Sequence, residues 1–170
     1  MDSVIEVDHS NCTGCRTCEM LCSLYHFGVC TPAKSAIQVI RREKGGLIFS
    51  FPLVCQQCDP APCIESCPVE ALTRDNNKSP ITLNRDECTL CGSCTEACPL
   101  GCITVDPEEV QLIHCDLCQG EPQCIPACHA DCLKLVNRKT GDEKNEIERM
   151  TAILIKQNCL DHIPQRRSSS

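Results

Sequence analysis

Cysteine is the residue type in this chain that most clearly points to chemistry. The sequence has 20 cysteines among 170 residues, and sixteen of them fall into four groups of four, which we call tetrads 1 to 4. Tetrads 1 and 3 have the spacing C-x2-C-x2-C-x3-C, tetrad 2 has C-x2-C-x4-C-x3-C, and tetrad 4 has C-x2-C-x5-C-x3-C. In chain order the tetrads are Cys12, Cys15, Cys18 and Cys22; Cys55, Cys58, Cys63 and Cys67; Cys88, Cys91, Cys94 and Cys98; and Cys115, Cys118, Cys124 and Cys128. Thiolates at such spacings bind [4Fe-4S] clusters, so the pattern predicts four clusters.

The last cysteine of each tetrad predicts that the clusters are held in pairs. Two residues between thiolates allow one tight loop to direct three sulfurs at one cube. The fourth cysteine lies one helical turn further on, roughly 6 Å along the axis, and faces a neighbouring cluster. Pro68 and Pro99 directly follow Cys67 and Cys98, which completes the bacterial ferredoxin pattern. Paired tetrads are therefore expected to exchange their last ligands.

This exchange gives four expected ligand sets. For the central pair they are Cys55, Cys58, Cys63 with Cys98, and Cys88, Cys91, Cys94 with Cys67. For the outer pair they are Cys12, Cys15, Cys18 with Cys128, and Cys115, Cys118, Cys124 with Cys22. The proline is replaced in the outer pair by Ser23 and His129, so there the signal is weaker than in the central pair.

Two other uses of cysteine are disfavoured by the pattern. Structural zinc sites also use C-x2-C pairs, but they give no reason for a third cysteine at x2 followed by x3 and proline. Disulfides are disfavoured because residues 1–10 are acidic and lack the apolar core of a signal peptide. Cys30, Cys102, Cys132 and Cys159 stand outside the tetrads. Cys132 is an alternative to Cys128 as a ligand, although the x3 spacing favours Cys128.

The composition fits a fold that is stabilised by metal. Aromatic residues are limited to one tyrosine and three phenylalanines, so an ordinary core is hard to build and folding should depend on cluster loading. The formal net charge of −7 disfavours binding to nucleic acid and to an anionic membrane. No apolar stretch approaches the roughly 20 residues needed to span a bilayer. These features predict a cytoplasmic protein without membrane insertion.

Short hairpins between the tetrads indicate a small α+β fold. The expected strand pairs are 36–41 with 47–53, 71–74 with 81–83, and 102–105 with 110–113, and a further strand is expected at Val4 to Val7. Each segment between the third and fourth cysteine should form one helical turn. The fold class is therefore a duplicated bacterial-ferredoxin-like cluster-binding repeat. Residues 51–105 would form a central two-cluster unit, and residues 1–50 with 106–135 would form an outer unit that places four clusters in a row.

Residues 136–170 are expected to form a linker, one helix and a disordered tail. Apolar residues recur at helical spacing at Ile147, Met150, Ile153 and Leu154. One hypothesis is that this helix packs on its own domain, and the other is that it docks on a partner. Both remain open at the level of sequence.

The tetrads and their flanking residues resemble the four-cluster electron-transfer subunits of the dimethyl sulfoxide reductase and formate hydrogenlyase type. The matching stretches are CTGCRTCEMLC from Cys12, CQQCDPAPCIESCP from Cys55, CTLCGSCTEACP from Cys88 and HCDLC from His114. Short members of this group are also similar to the small subunits of tungsten-pterin aldehyde oxidoreductases and of benzoyl-CoA reductases. The resemblance covers nearly the whole chain through Leu135, and the departures from it are His129 in place of proline and the lack of a membrane-anchoring tail.

The resemblance implies an electron-transfer subunit with no catalytic chemistry of its own. It would relay single electrons through four [4Fe-4S] clusters between a tungsten- or molybdenum-pterin catalytic subunit and an external carrier, such as a ferredoxin or a flavin-containing partner. A free soluble polyferredoxin that shuttles electrons between enzymes is the alternative. A catalytic or sensing protein would need a cluster with three protein ligands, and the four complete tetrads count against it.

Histidines near the tetrads are a minor signal. His114 directly precedes Cys115 and could donate a hydrogen bond to a cluster sulfur, although a packed surface histidine is the simpler interpretation. His26 and Tyr25 follow tetrad 1 and are expected to shield its cluster from water.

Overall fold

A computed structural model describes residues 3–76, 79–106, 108, 111–137, 148 and 150–152. The strands are β1 (Ser3–Val7), β2 (Gln38–Lys44), β3 (Leu47–Leu53), β4 (Leu72–Thr73), β5 (Thr82–Leu83), β6 (Thr104–Asp106), β7 (Gln111–Ile113) and β8 (Leu133–Asn137). The α-helices are α1 (Thr17–Phe27), α2 (Pro62–Glu65) and α3 (Ser93–Ala97), and 3-10 turns lie at Pro32–Lys34 and Leu117–Gly120. These elements confirm the expected small α+β class with short hairpins.

All three hairpins expected from the sequence are present. Strand β2 pairs with β3, β4 with β5, and β6 with β7, each antiparallel. The β2–β3 turn uses Gly45 at φ 60° and Gly46 at φ 78°, a left-handed conformation that glycine adopts without a steric penalty. The two-residue strands of β4–β5 are shorter than the expected segments.

The strand expected near the N-terminus has a partner that the sequence did not reveal. Strand β1 pairs with β8 over five residues, from Ser3 opposite Asn137 to Val7 opposite Leu133. A further backbone bond from Asp8 N–H to the Cys132 carbonyl, 2.8 Å long, continues the pairing toward the cysteine loops. The two ends of the cysteine-rich region are thus joined directly.

The helical turns between third and fourth cysteines were predicted correctly only in part. In tetrad 1 the turn is the first half of an 11-residue helix, because α1 runs from Thr17 to Phe27 and ends at Gly28 in a left-handed cap. In tetrad 4 the residues from Cys124 to Ala127 form turns and no helix. The segment Leu117–Gly120, which begins before the second cysteine of that tetrad, has positive φ throughout and is therefore a left-handed turn.

Small buried clusters take the place of one large core. One cluster gathers β1, β8 and tetrads 1 and 4, and its members include Ile5, Ile113 and Leu117. A second gathers Phe51, Leu53 and Leu100, and a third lies around Leu72 and Ile103. Tetrad cysteines belong to or pack against all three clusters. The apolar packing therefore surrounds the cysteine loops.

Met150 is the described residue that tests how the C-terminal segment 136–170 packs. It is helical, only 2% exposed, and packs in the cluster that contains Phe51 and Leu100. This contact favours packing of the segment on its own domain at Met150, whereas Ile147, Ile153, Leu154 and Leu160 lie outside the described residues. Among the described residues, no helix is long and apolar enough to cross a membrane.

Candidate iron–sulfur centres

The first loops of the four tetrads share one left-handed residue. The residue directly before the second cysteine has a positive φ in all four loops: Gly14 at 71°, Gln57 at 47°, Leu90 at 56° and Leu117 at 54°. Residues other than glycine adopt this left-handed conformation only at an energetic cost of about 1 kcal/mol or more, and it turns successive backbone amides toward one side. Four different sequences thus share a left-handed turn at the same position.

Three cavities in the structure are each lined by cysteines of two tetrads. One is lined by Cys88, Cys91 and Cys94 of tetrad 3 together with Cys67 of tetrad 2. A second is lined by Cys55, Cys58 and Cys63 of tetrad 2 together with Cys98 of tetrad 3. A third is lined by Cys115, Cys118 and Cys124 of tetrad 4 together with Cys22 of tetrad 1. In each cavity the last cysteine comes from the partner tetrad.

The remaining four cysteines of the tetrads also lie together. Cys12 is close enough to Cys15 and Cys128 for their charges to interact, and Cys18 is likewise close to Cys12 and Cys15. Cys128 is brought to this group by the end of tetrad 4, which lies beside β8. The grouping has the same three-plus-one composition as the three cavities.

The cavities fit one kind of cofactor in chemistry. Apart from their cysteines they are lined mainly by apolar side chains such as Leu72, Ile103 and Val54. All cysteines in the described part of the chain are free thiols, so no disulfide competes for the donor set. Four thiols in an apolar surrounding match the donor set of a [4Fe-4S] cluster.

The turn after the fourth cysteine is the same in three tetrads. The carbonyls of Cys67, Cys98 and Cys128 each accept a hydrogen bond from the backbone N–H of the residue three positions later, at 3.3, 3.2 and 3.1 Å. Each of those third residues has a positive φ: Glu70 at 52°, Gly101 at 66° and Asp131 at 48°. His129 therefore occupies the same turn as Pro68 and Pro99, and it does not alter the course of the chain at Cys128.

Ser23 replaces proline in tetrad 1 for a different reason. It lies inside α1, where a proline would remove a helix hydrogen bond and clash with the preceding turn. The Ser23 side chain is fully buried, donates to the Met20 carbonyl at 3.0 Å and accepts from Thr31 N–H at 3.0 Å. The serine thus ties the end of α1 to the following loop.

Backbone and side-chain donors point at several cysteine sulfurs. The N–H groups of Ala71 and Cys102 donate to Cys67 and Cys98 at 3.2 and 3.3 Å, in equivalent positions of tetrads 2 and 3. Such bonds stabilise negative charge on sulfur. They are therefore positioned to stabilise thiolate ligands.

Tetrads 1 and 3 share a second set of donors at their exposed cysteines. Thr17 Oγ1 lies 3.4 Å from Cys15 Sγ, and Ser93 Oγ lies 3.4 Å from Cys91 Sγ. These hydroxyls hold the pKa of the Cys15 and Cys91 thiols below the ordinary value, so both are readily deprotonated. By contrast, burial raises the pKa of Cys63 to about 11, so a metal must displace its proton on binding.

Two cysteines outside the tetrads lie beside the candidate centres. Cys102 lines the cavity of Cys55 and Cys98, and Cys132 Sγ lies 3.3 Å from Cys128 Sγ. Each follows the fourth cysteine of a tetrad by four residues, and each is 3% exposed. Cys30 is exposed and lies away from the cavities, and Cys159 lies outside the described residues.

In the described part of the chain, His26 and His129 both contact tetrad sulfurs. His129 Nδ1 lies 3.7 Å from Cys15 Sγ. His26 Nε2 lies 3.6 Å from Cys118 Sγ and 3.6 Å from an Asp116 carboxylate oxygen. His114 instead lines a neighbouring polar cavity, and its Nε2 is buried without a hydrogen-bond partner. The sequence favoured a packed surface histidine at His114, with a hydrogen bond to a cluster sulfur as the alternative, and it placed His26 beside tetrad 1. His26 reaches tetrad 4 because Cys22, on the same helix, shares a cavity with Cys118.

Comparison with known proteins identifies relatives along most of the chain. The model of the 4Fe-4S dicluster domain family matches residues 46–138. The polyferredoxin-like subunit of aliphatic sulfonate oxidoreductase from Pyrococcus furiosus is 36% identical over 135 residues, which cover 78% of this chain and 76% of that protein. The electron transport protein HydN of Escherichia coli (strain K12) is 31% identical over 180 residues, which cover 91% of this chain and 99% of HydN.

Solved structures include a similar chain in the active site complex BamBC of benzoyl coenzyme A reductase, as isolated. It is 26% identical, and the alignment covers 94% of this chain and 92% of that chain with a TM-score of 0.48.

Proposed function

The chain belongs to the family of 4Fe-4S dicluster, ferredoxin-like electron-transfer proteins, and from that premise we propose that it relays electrons as the iron–sulfur subunit of an oxidoreductase complex. It is not itself an enzyme, since its relatives are electron-transport and ferredoxin subunits. When bound, a [4Fe-4S] cluster accepts and releases single electrons. The residues of the chain hold such clusters, exclude water from them and adjust the charge on their sulfur ligands.

We propose that four clusters are bound, each by three cysteines of one tetrad and the last cysteine of another. The proposed ligand sets are Cys12, Cys15, Cys18 with Cys128; Cys115, Cys118, Cys124 with Cys22; Cys55, Cys58, Cys63 with Cys98; and Cys88, Cys91, Cys94 with Cys67. The observation that carries this proposal is the common lining of the cavities by two tetrads. The repeated left-handed loops support it independently.

The exposure of the proposed ligands suggests where electrons enter and leave. Cys15 and Cys91 are exposed, whereas the other proposed ligands are buried or half-buried. Exchange with another molecule requires a short path through protein, so we propose that the surfaces around Cys15 and Cys91 face the two exchange partners. Cys55 and Cys115 lie close together in the interior. This arrangement supports a row with the Cys91 and Cys15 sites at its ends.

The proposed partner is a larger catalytic subunit. A relative is named as the polyferredoxin-like subunit of an oxidoreductase, which supports a comparable assembly for this chain. A tungsten- or molybdenum-pterin cofactor in the partner is the finer proposal, and it rests on the resemblance of the tetrad sequences. On the other side we propose a ferredoxin or a flavin-containing protein as carrier.

Gentle anaerobic purification of the tagged chain from its native host tests this assignment. We expect co-elution with a large subunit, tungsten or molybdenum in that complex, and reduction of the clusters when the substrate of the partner is added. A chain that elutes alone, with its clusters intact and with exchange toward several enzymes, would instead identify a free polyferredoxin. A chain without iron would overturn both assignments.

A further inference from the structure

One glutamine side chain connects two of the candidate centres. Gln57, which lies in the loop between Cys55 and Cys58, is only 2% exposed. Its Nε2 donates to the carbonyl oxygen of Cys115 at 2.7 Å and lies 3.6 Å from Cys55 Sγ. Its Oε1 accepts from the backbone N–H of Ile81 at 2.9 Å. The amide therefore contacts the cysteine loops of both tetrad 2 and tetrad 4.

The loop conformation alone does not require this side chain. The equivalent positions of the other tetrads are Gly14, Leu90 and Leu117, which build the same left-handed turn without a polar side chain. Glycine would adopt the turn of tetrad 2 with less strain than Gln57 does at φ 47°. A strained residue with a fully engaged amide points to a role beyond closing the loop.

The two cysteines that Gln57 contacts belong to different proposed centres. Cys55 lines the cavity with Cys98, and Cys115 lines the cavity with Cys22. They are close enough for the charges of their sulfurs to interact. The Gln57 side chain that contacts both loops is almost fully buried, and electrostatic effects are strong in such a water-poor environment. A single hydrogen bond there has more influence than one at the protein surface.

We propose that Gln57 is a positioning residue that joins the central and outer two-cluster units and raises the reduction potential of the cluster ligated by Cys55. This inference rests on the proposed function. The Nε2 amide group places positive charge density beside Cys55 Sγ and stabilises the additional negative charge of a reduced cluster. Its bond to the Cys115 carbonyl and the bond from Ile81 fix that amide in place.

The test uses anaerobically purified full-length protein with Gln57→Met and Gln57→Glu. Methionine keeps the length of the side chain but removes the donor, and glutamate also brings negative charge toward Cys55 Sγ. Gln38→Met is the control, because Gln38 is a half-buried glutamine at the start of β2 and lines none of the three cysteine cavities. Iron content and an EPR-monitored redox titration are measured for each protein.

The signal of the relevant cluster is identified as the one altered by Cys63→Ser. At a fixed ambient potential, we expect its ratio of oxidised to reduced form to rise about threefold in Gln57→Met. In Gln57→Glu the rise should be about tenfold, which corresponds to about 59 mV for one electron. Magnetic interaction with a second reduced cluster should also change in both variants, whereas Gln38→Met should keep the wild-type titration.

An unchanged titration in both Gln57 variants would overturn the inference, and so would an equal shift in Gln38→Met. If Gln57→Glu loses iron, Gln57→Met still decides the question. Wild-type protein that binds no clusters would instead refute the proposed function, so the two failures are distinguishable.

Discussion

Lys34 Nζ lies 3.2 Å from Asp106 Oδ2, and both side chains are buried, at 9% and 3% exposure. The pair joins the segment after α1 to the β6–β7 hairpin, and so it links two regions that are distant in sequence. A second carboxylate, that of Glu108, lies 3.9 Å from the same ammonium but is 80% exposed. Because Asp106 is buried and Glu108 is exposed, the ion pair with Asp106 should contribute much more to the free energy of unfolding than the pair with Glu108.

We predict that Lys34→Met lowers the stability of the cluster-loaded protein by about 3 kcal/mol, because it removes the cation beside the buried Asp106 carboxylate. For a chain of this length, the thermal midpoint should fall by about 6–12 °C. Glu108→Ala should change the midpoint by less than about 2 °C, because the exposed pair contributes little. The loss of visible absorbance on heating measures both effects, and equal shifts would contradict the prediction.

The proposed cluster content predicts about sixteen iron and sixteen acid-labile sulfide per chain after anaerobic purification. Metal analysis and sulfide assay measure these values directly. Iron near eight would remove the four-cluster proposal, and stoichiometric zinc would support the structural zinc sites that the spacing disfavours.

The exchange of last ligands predicts different outcomes for two cysteines that lie four residues apart. Cys98→Ala should cause loss or conversion of the cluster held by Cys55, Cys58 and Cys63, because Cys98 lines their cavity. Cys102→Ala should keep the full iron content, because Cys98 holds the x3 position of the tetrad and the variant keeps the backbone N–H that donates to Cys98 Sγ. Iron analysis and EPR compare the two variants. Damage confined to the cluster of Cys88, Cys91 and Cys94 would refute the exchange.

The same reasoning applies to Cys128 and Cys132, whose sulfurs lie 3.3 Å apart. Cys128→Ala should disturb the cluster of Cys12, Cys15 and Cys18, whereas Cys132→Ala should leave the iron content unchanged. The opposite pattern would make Cys132 the ligand. EPR of the reduced proteins, read beside their iron content, distinguishes the two.

Gly14 provides a test of the loop itself. A Cβ at this position would overlap Ser50 Oγ and lie 3.2 Å from Ser50 Cβ, and the φ of 71° is unfavourable for alanine. Gly14→Ala should therefore lose about one cluster of iron. Gly28→Ala is the control, because Gly28 has nearly the same φ of 70° but an added Cβ there meets no atom within 4 Å. This variant should lower the stability by about 1 kcal/mol and keep its full iron content. Ser50→Ala should partly restore iron to Gly14→Ala if overlap with the hydroxyl is the cause.

Much of the local structure could be predicted from the sequence. The hairpin between 36 and 53 has alternating apolar residues and the Gly45–Gly46 turn, which are local signals. The partner of β1 could not be predicted, because pairing between residues more than 120 positions apart leaves no mark in a local pattern. The uninterrupted helix α1 could have been suspected from Ser23, since the absence of proline permits helix to continue.

The cysteines of the candidate centres could be predicted from the sequence, but the side chains that surround them could not. The cysteine spacing identified the tetrads, yet nothing in the sequence indicated that Gln57 rather than Gln56 contacts Cys115. Side-chain direction there depends on the left-handed turn at Gln57. His26 likewise contacts Cys118 only because α1 crosses toward tetrad 4. Contacts of this kind arise from tertiary packing.

The pairing of β1 with β8 also determines when the protein can assemble during synthesis. The proposed central ligand sets are complete once Cys98 has emerged from the ribosome, whereas the proposed outer sets need Cys124 and Cys128, and β1 must wait for Leu133–Asn137. Contacts between distant segments form slowly because a long loop must close first. Nascent chains should therefore acquire iron in the central unit first, while the thiols of tetrad 1 stay without a cluster until Cys128 has been synthesised.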